Sequence, residues 1–537
     1  MLQILTVLVG TVLVSTNALP QCEFTGEESL DLVCTPDSID FILENGLVSD
    51  NPNVTSISLR GCRVAGIEVN SFNNLPSLES LDLSQNKLEA VKLGVLDGFQ
   101  QLKFLNLSFN QITGFELGLF DQKPNLEVLD VSGNNITNLQ LGVLDGFHQL
   151  KVLNLSDNQL SNFSLGLFDQ KPNLEILDLS RNMITHLQLG VLDGFLQLKV
   201  LYLSENQLTN LSLGLFDQKP NLEVLDLSGN QITHLQLGIL DGFHKLKVLY
   251  LANNQLTNFS LGLFDQKPNL EVLDLSGNRI THLQLGVLDG FHPLKFLNLS
   301  NNQLTSFSLG LFDQKPNLEV LDLSGNKITN LQLGVLDGFH LLKVLNLSDN
   351  QLTDFPLGLF DQKPDLEYLI ISKNRINNLP LGLFDRSTKL KHVDISNNPI
   401  EGKSMSPYLF DRSPSIEYMD FSSINMAETP QNMLHAFRAL RFLSLNNCSL
   451  TVVPEFAIKQ NLNTMTDLVL SRNNITSISD PSTFERLINL EVLNLADNSL
   501  ESIVDGVFAP LVKLRELVLR NNRLDKVPEV PSGVNVL

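Results

Sequence analysis

The chain has 537 residues, with 37 basic against 59 acidic side chains and a net charge of −22. That balance excludes a general nucleic-acid binder, which needs a basic face. The length exceeds what one compact core uses and suits an array whose units contact only their neighbours. The absence of Trp and the excess of Phe (31) over Tyr (5) fit one Phe-bearing unit copied many times.

The first residues read as a secretory signal peptide over 1–18. Leu2–Val14 is an apolar run too short for a membrane span, and Thr16-Asn17-Ala18 fits a small-x-small cleavage site. No later run approaches a span, and Val530–Leu537 lacks a lipid-anchor tail, so a secreted chain is expected. Cys22 and Cys34 follow, in a compartment that oxidises thiols, and a disulfide between them is expected to staple an N-terminal cap over 19–53. Within the cap, Leu30, Leu32 and Val33 are expected to extend a sheet and Phe41–Leu43 to begin a short helix. Cys62 and Cys448 stand where a later pattern otherwise has Asn, and are expected to be buried thiols.

From Val54 the chain repeats. LGLFDQKPNLEVLDLSGN (Leu213–Asn230) has near-copies from Leu117 to Asn374 and alternates with LGVLDGFHQLKVLNLSDN (Leu141–Asn158). Each holds L-x-x-L-x-L-x-x-N, as in Leu222, Leu225, Leu227 and Asn230. The Asn position recurs every 24 residues from Asn86 to Asn398, then falls at Ile424, Cys448, Asn473, Asn498 and Asn522, giving about 20 turns. The L-x-L alternation predicts a short strand with both leucines inward, stacked in parallel about 4.8 Å from its neighbours. A buried Asn amide there satisfies backbone groups of adjoining turns; Cys replaces it in part and Ile does not. The returning segments are broader than strands, so the predicted stack curves with its sheet on the concave side.

The two unit types are complementary in volume: Phe120 stands where the sister unit has Leu144, and Lys123 where it has Phe147. Large residues should therefore alternate between two convex layers. The regular repeats cover 54–398. Residues 399–430 are an irregular break, with a 26-residue interval and Pro399, Pro407, Pro414 and Pro430, where a bulge or change of curvature is expected. Residues 431–537 hold divergent repeats and the C-terminal end, whose edge Val527–Leu537 is expected to cover.

This is the leucine-rich-repeat pattern. L-x-x-L-F-D-x-x-P-x-L-x-x-L-D-L-S-x-N resembles extracellular proteins of the 24-residue class, in particular Toll-type receptor ectodomains and secreted arthropod leucine-rich immune proteins. The resemblance covers about 54–527 and implies an α/β-type solenoid, a horseshoe with a parallel concave β-sheet and a mostly irregular convex side. It implies recognition of a protein or microbial-surface ligand in innate immunity. The alternatives are a cell-adhesion or extracellular-matrix role, or an ectodomain fragment of a Toll-like receptor.

The polar strand positions face the concave side. Just after the first Leu the row alternates Glu127, Lys151, Glu175, Lys199, Glu223, Lys247 and onward to Lys391. Alternation removes the repulsion a uniform row would suffer and serves register and solubility. The central row runs Asp130, Asn154, Asp178, Tyr202, Asp226, Tyr250, Asp274, Asn298, Asp322, Asn346; like carboxylates lie two rungs apart, roughly 10 Å, too far for a catalytic pair or shared metal. Glycosylation sequons stand at Asn53, Asn106, Asn135, Asn154, Asn162, Asn210, Asn258, Asn298, Asn346, Asn447 and Asn474. Asn106, Asn154, Asn298 and Asn346 lie mid-face, and glycans there would obstruct it. Between Asn154 and Asn298 the central row has no sequon, and Tyr replaces Asn twice. The ligand-contact area is expected in that window, with Tyr202 and Tyr250 as aromatic anchors supported by Arg181, Glu205 and Asp226. The histidines follow the repeat at spacings too wide to share a zinc. No catalytic motif and no cofactor motif is present, so neither an enzyme nor a cofactor is expected.

Overall fold

A computed structural model describes residues 22–26, 28–34, 40–44, 48–49, 52–169, 171–217, 219–265, 267–313, 315–459 and 462–537. The expected signal peptide lies outside them. The chain forms two units, one of residues 1–256 and 262–270, the other of 257–261 and 271–537. Each is a solenoid stack of mostly parallel, mostly three-residue strands, and the described residues supply about 20 turns with almost no helix. Among the described residues the helical segments are Gly402–Ser404 and Glu455–Ile458.

The first unit opens on a hairpin, Cys22–Thr25 antiparallel to Ser29–Cys34, whose register sets Cys22 opposite Cys34. The second strand of that hairpin pairs in parallel with Ser56–Ser58, so the cap extends the repeat sheet as expected. Phe41–Leu43 is a strand and not a helix. It pairs with Val64–Ile67 and alternates buried, exposed, buried, so that Phe41 and Leu43 enter the core. A three-residue alternation matched to a neighbouring edge outcompetes a helix too short to nucleate. Strands then follow in register, as Val200↔Val224 and Leu201↔Leu225. In each, the middle Leu is buried and its neighbours are half-exposed.

The Asn ladder lies behind the strands. Asn230 Nδ2 donates to the carbonyls of Leu203, Leu227 and Ser228, and its Oδ1 accepts the Leu208 N–H. Every strong donor and acceptor of the buried amide is thereby used. In the second unit Cys448 keeps one of these bonds, Sγ donating to the Phe421 carbonyl at 3.2 Å, whereas Ile424 contributes only apolar bulk. Both Cys62 and Cys448 are buried thiols, raised by burial to about 11 and about 12.

The return side packs in two aromatic columns. Phe120 meets Phe147 at 5.1 Å between ring centres, Phe168 meets Phe195 at 5.2 Å, and Phe216 meets Phe243 at 5.1 Å. Large residues thus alternate between layers, as their sequence predicts. Near the end of the regular repeats the compensation changes form. Phe360, Phe384 and Phe410 follow one another in a single column, nearly parallel at 6.1 and 5.2 Å, and the facing column shrinks to the buried Ser387 and Ser413. Glycine is required where turns touch: a Cβ on Gly194 would lie 2.3 Å from the Phe168 carbonyl oxygen.

The lysines of the DQK segments are not surface residues. Lys123, Lys171, Lys219, Lys267, Lys315 and Lys363 are all buried, at 2 % exposure or less, in the column that otherwise holds Phe. Lys123 Nζ donates to the Asp121 carbonyl at 3.2 Å and Lys171 Nζ to that of Asp169 at 3.0 Å. Burial lowers their pKa values, to about 8 at Lys315 and Lys363.

At the irregular break the sheet continues without a bulge: His392↔Tyr418 and Asp394↔Asp420 pair in parallel register. The additional residues form the turn Gly402–Ser404 outside the sheet. At the last repeat, Asn535–Val536 adds to Glu516–Val518 and covers that strand.

Candidate functional site

The polar rows of the strands are the candidate surface. In the first row each Lys pairs with the Glu of the preceding turn, as Lys151–Glu127 at 2.7 Å, Lys199–Glu175 at 2.8 Å and Lys247–Glu223 at 2.7 Å. Solvent screens these exposed pairs, so they add little to stability and serve mainly to keep the rung charge neutral.

The central row carries a local device that sequence reading did not resolve. Asp226 Oδ1 accepts the N–H of Ser228, two residues on, and also its hydroxyl. Asp130 and Asp178 make the same Asx turn, and so do the sequon residues Asn106, Asn154, Asn298 and Asn346 through their side-chain oxygens. The Asp/Asn alternation is therefore first a backbone requirement. In the second unit the amides of Asn298 and Asn346 also donate to Asp274 and Asp322, at 3.3 and 3.1 Å.

Tyr202 and Tyr250 depart from this rule, because a phenol offers no such acceptor to the residue two ahead. Tyr202 stands in register between Asp178 and Asp226, and Asp226 stands between Tyr202 and Tyr250. Partial burial, with Asp178, Asp226 and Tyr250 nearby, raises the Tyr202 hydroxyl pKa. Arg181 and Glu205 are joined by Nε–Oε2 at 3.1 Å and are both well exposed. Both hold left-handed backbone, at φ 51 and 52°, where Gly229 in the next turn has φ 65°. The five predicted residues thus lie on one face of the first unit, and Arg181 is bonded to Glu205.

The sequence reading missed a second feature, on strands of the second unit. Tyr368, His392, Tyr418 and Phe442 occupy one row on four successive strands. Their rings stack at 5.6, 3.9 and 4.4 Å with interplanar angles of 29, 10 and 3°. Beside them Asp394 and Asp420 are register partners on adjacent strands, unlike the carboxylates earlier in the row. Burial raises the Asp420 pKa, with the Asp394 charge adding to the rise and bonds from Ser422 opposing it. Burial also pushes Tyr418 up to about 12 and lowers His392. The signal was present as aromatic residues in a row that is otherwise mostly Val, but only the register through the 26-residue interval aligns Tyr418 with His392.

Comparison with known proteins follows this architecture. The sequence matches the Leucine rich repeat family over residues 52–112, 124–426 in overlapping segments, and 464–524. A curated zebrafish (Danio rerio) relative, a leucine-rich repeat and fibronectin type III domain-containing protein 1-like protein, is 37% identical over 75 residues, 14% of this chain. That match spans 11% of the relative's length. The Toll structure from the Drosophila Toll–Spatzle complex superposes with a TM-score of 0.67 at 20% identity, covering 95% of this chain and 66% of that one. A Leptospira interrogans leucine-rich-repeat protein gives 0.56 at 24% identity, over 79% and 91% of the two chains. The plant peptide hormone receptor RGFR1, in complex with RGF2, gives 0.59 at 20% identity, over 91% and 80%. At these identities the likeness is one of fold. With the family pattern matched over most of its length, the chain belongs to the leucine-rich-repeat family.

Proposed function

We propose that this chain is a secreted recognition protein of innate immunity whose strand face binds a protein ligand without catalysis. The observation that carries the reading is a break in the central row. Tyr202 and Tyr250 forgo the Asx turn that Asp178 and Asp226 make on intervening strands, and the exposed Arg181–Glu205 ion pair follows Asp178 and Tyr202 on adjacent turns. Residues that depart from locally favoured choices gather where a surface is used. Two exposable tyrosines with an ion pair beside them have the chemistry of a protein-binding anchor. Structural neighbours include Toll with Spatzle and a plant receptor with a peptide hormone, so the fold lends itself to protein ligands. A signal peptide over 1–18, a Cys22–Cys34 disulfide and glycans at the sequons complete the proposal. Among the described residues no helix is long and apolar enough to cross a membrane.

The test is affinity capture from extracellular fluid with wild-type chain and with Tyr202→Ala/Tyr250→Ala, compared by quantitative mass spectrometry. A protein retained by the wild type and lost from the variant supports the anchors; equal retention by both overturns them. Binding of isolated microbial envelope, with no protein retained, would move the ligand class to the microbial surface. Glycan mapping bears on the window: fully unmodified Asn154 and Asn298 would remove its boundaries.

A further inference from the structure

The aromatic ladder of the second unit is built for a different contact from the tyrosine window. Its inner rings cover one another's faces, so His392 and Tyr418 present only edges and polar tips. Of the two end rings, Tyr368 and Phe442, Tyr368 is the more exposed. Tyr368 has His392 on one side and the smaller Val344 as its register partner on the other, and it is 41% exposed. The aromatic stack thus ends at Tyr368, whose side towards Val344 meets no further ring.

Charge around the ladder is unbalanced. In the adjoining row Lys391 is held by Glu367 at 2.8 Å and Arg441 lies 3.8 Å from Glu417, so both cations are answered. Asp394 and Asp420 stand on neighbouring strands about 4.8 Å apart. Among the described residues neither makes an ion pair. Asp420 is tied to Ser422, whose hydroxyl also meets that of Ser444 at 2.7 Å, so its carboxylate is fixed in place.

We propose that this ladder docks an extended, arginine-bearing segment of a protein partner, one guanidinium stacking on the ring of Tyr368 and a second lying against Asp394 and Asp420. A guanidinium is planar, weakly hydrated and able to bond carboxylates in a fork, which suits both positions. A neutral sugar could stack on Tyr368 but would leave Asp394 and Asp420 without a counter-charge, and a phosphate backbone would meet two carboxylates. The proposal rests on the recognition reading only in taking the strand face as the side that meets a partner.

The experiment titrates the full chain into a fluorescently labelled peptide of alternating arginine and serine, with a glutamate–serine peptide as control, read by anisotropy at low salt. The arginine peptide is expected to bind and the glutamate peptide not. Tyr368→Ala should weaken binding by roughly 2- to 30-fold, the range of a cation–π contact. Tyr368→Leu, which keeps the apolar bulk, should weaken it comparably, and Asp420→Asn, which keeps the acceptor for Ser422, should weaken it as well. Tyr408→Ala, at an exposed tyrosine outside both surfaces, should leave it unchanged. Equal binding of both peptides, or wild-type affinity in Tyr368→Leu and Asp420→Asn, would overturn the proposal. So would a single-stranded RNA oligonucleotide whose binding fell in the same variants. Absence of arginine-peptide binding alongside loss of captured protein in Tyr202→Ala/Tyr250→Ala would sink the ladder and leave the recognition reading standing.

Discussion

Asn230 donates its side-chain amide to the carbonyl of Leu203, 2.9 Å away in the preceding turn, and accepts the Leu208 N–H at the same distance. One buried side chain thus fastens two turns. Asn230→Leu keeps the volume and orphans these groups, at about 1–3 kcal/mol for each buried group left unsatisfied. Asn230→Cys should cost less, because Cys448 already makes the equivalent bond to Phe421. Chemical denaturation and amide exchange at Leu208 measure the order. Equal destabilisation by the two substitutions would contradict the ladder as the fastening element.

Lys363 carries a charge into an apolar column. It is fully buried, and its Nζ has no hydrogen-bond partner among the described residues. Burial lowers its pKa to about 8 from the ordinary 10.5. The folded state therefore releases the proton first. The cost of the buried ammonium is full below about 8 and is relieved as pH rises from 8 towards 10.5, so this group makes the protein more stable with rising pH in that window. Lys363→Met should raise the melting temperature at pH 7 and reduce the gain between pH 7 and pH 9.5. A pH profile unchanged by the substitution would show that the amine is neutral or hydrated throughout.

Arg181 and Glu205 separate stability from recognition. Their left-handed backbone favours glycine, as at Gly229, while their mutual ion pair is exposed. Replacing both by glycine relieves strain, loses a pair worth about 0–1 kcal/mol and adds flexibility to the unfolded chain. We expect little net change in melting temperature and reduced capture of the partner retained by the wild type. A large loss of stability would assign the pair to the fold.

The cysteines should divide into two classes by reactivity. Cys62 and Cys448 are buried thiols held at high pKa, so they should resist iodoacetamide in the native protein and react after unfolding. With a Cys22–Cys34 disulfide in place, alkylation counted by mass spectrometry should then reach its full value only after reduction. Complete labelling on unfolding alone would remove the staple.

Much of the fold was legible because its contacts are local copies. The period of 24 places every Leu and Asn beside its counterpart one turn away, and the volume swap between Phe120 and Lys123 on one turn and Leu144 and Phe147 on the next foretells the two packed columns. The cap was legible at Leu30 and not at Phe41, because three residues cannot show whether they will find an edge to pair with. The buried DQK lysines ran against composition, since a charged side chain reads as solvated until the facing phenylalanines close over it.

The turn, its repeat and the residues that face the strand side could be read from the residues alone, because period-two alternation and a recurring buried amide leave few alternatives. The residues also single out Tyr202 and Tyr250 as departures from the copy. What those departures touch depends on how the strands pair. Register across adjacent strands set Tyr202 between Asp178 and Asp226, turned Asp394 and Asp420 into neighbours, and stacked Tyr368, His392, Tyr418 and Phe442 across an interval that does not match the repeat. Lateral adjacency in a solenoid comes from strand pairing, and a loop of altered length hides it from any count along the chain.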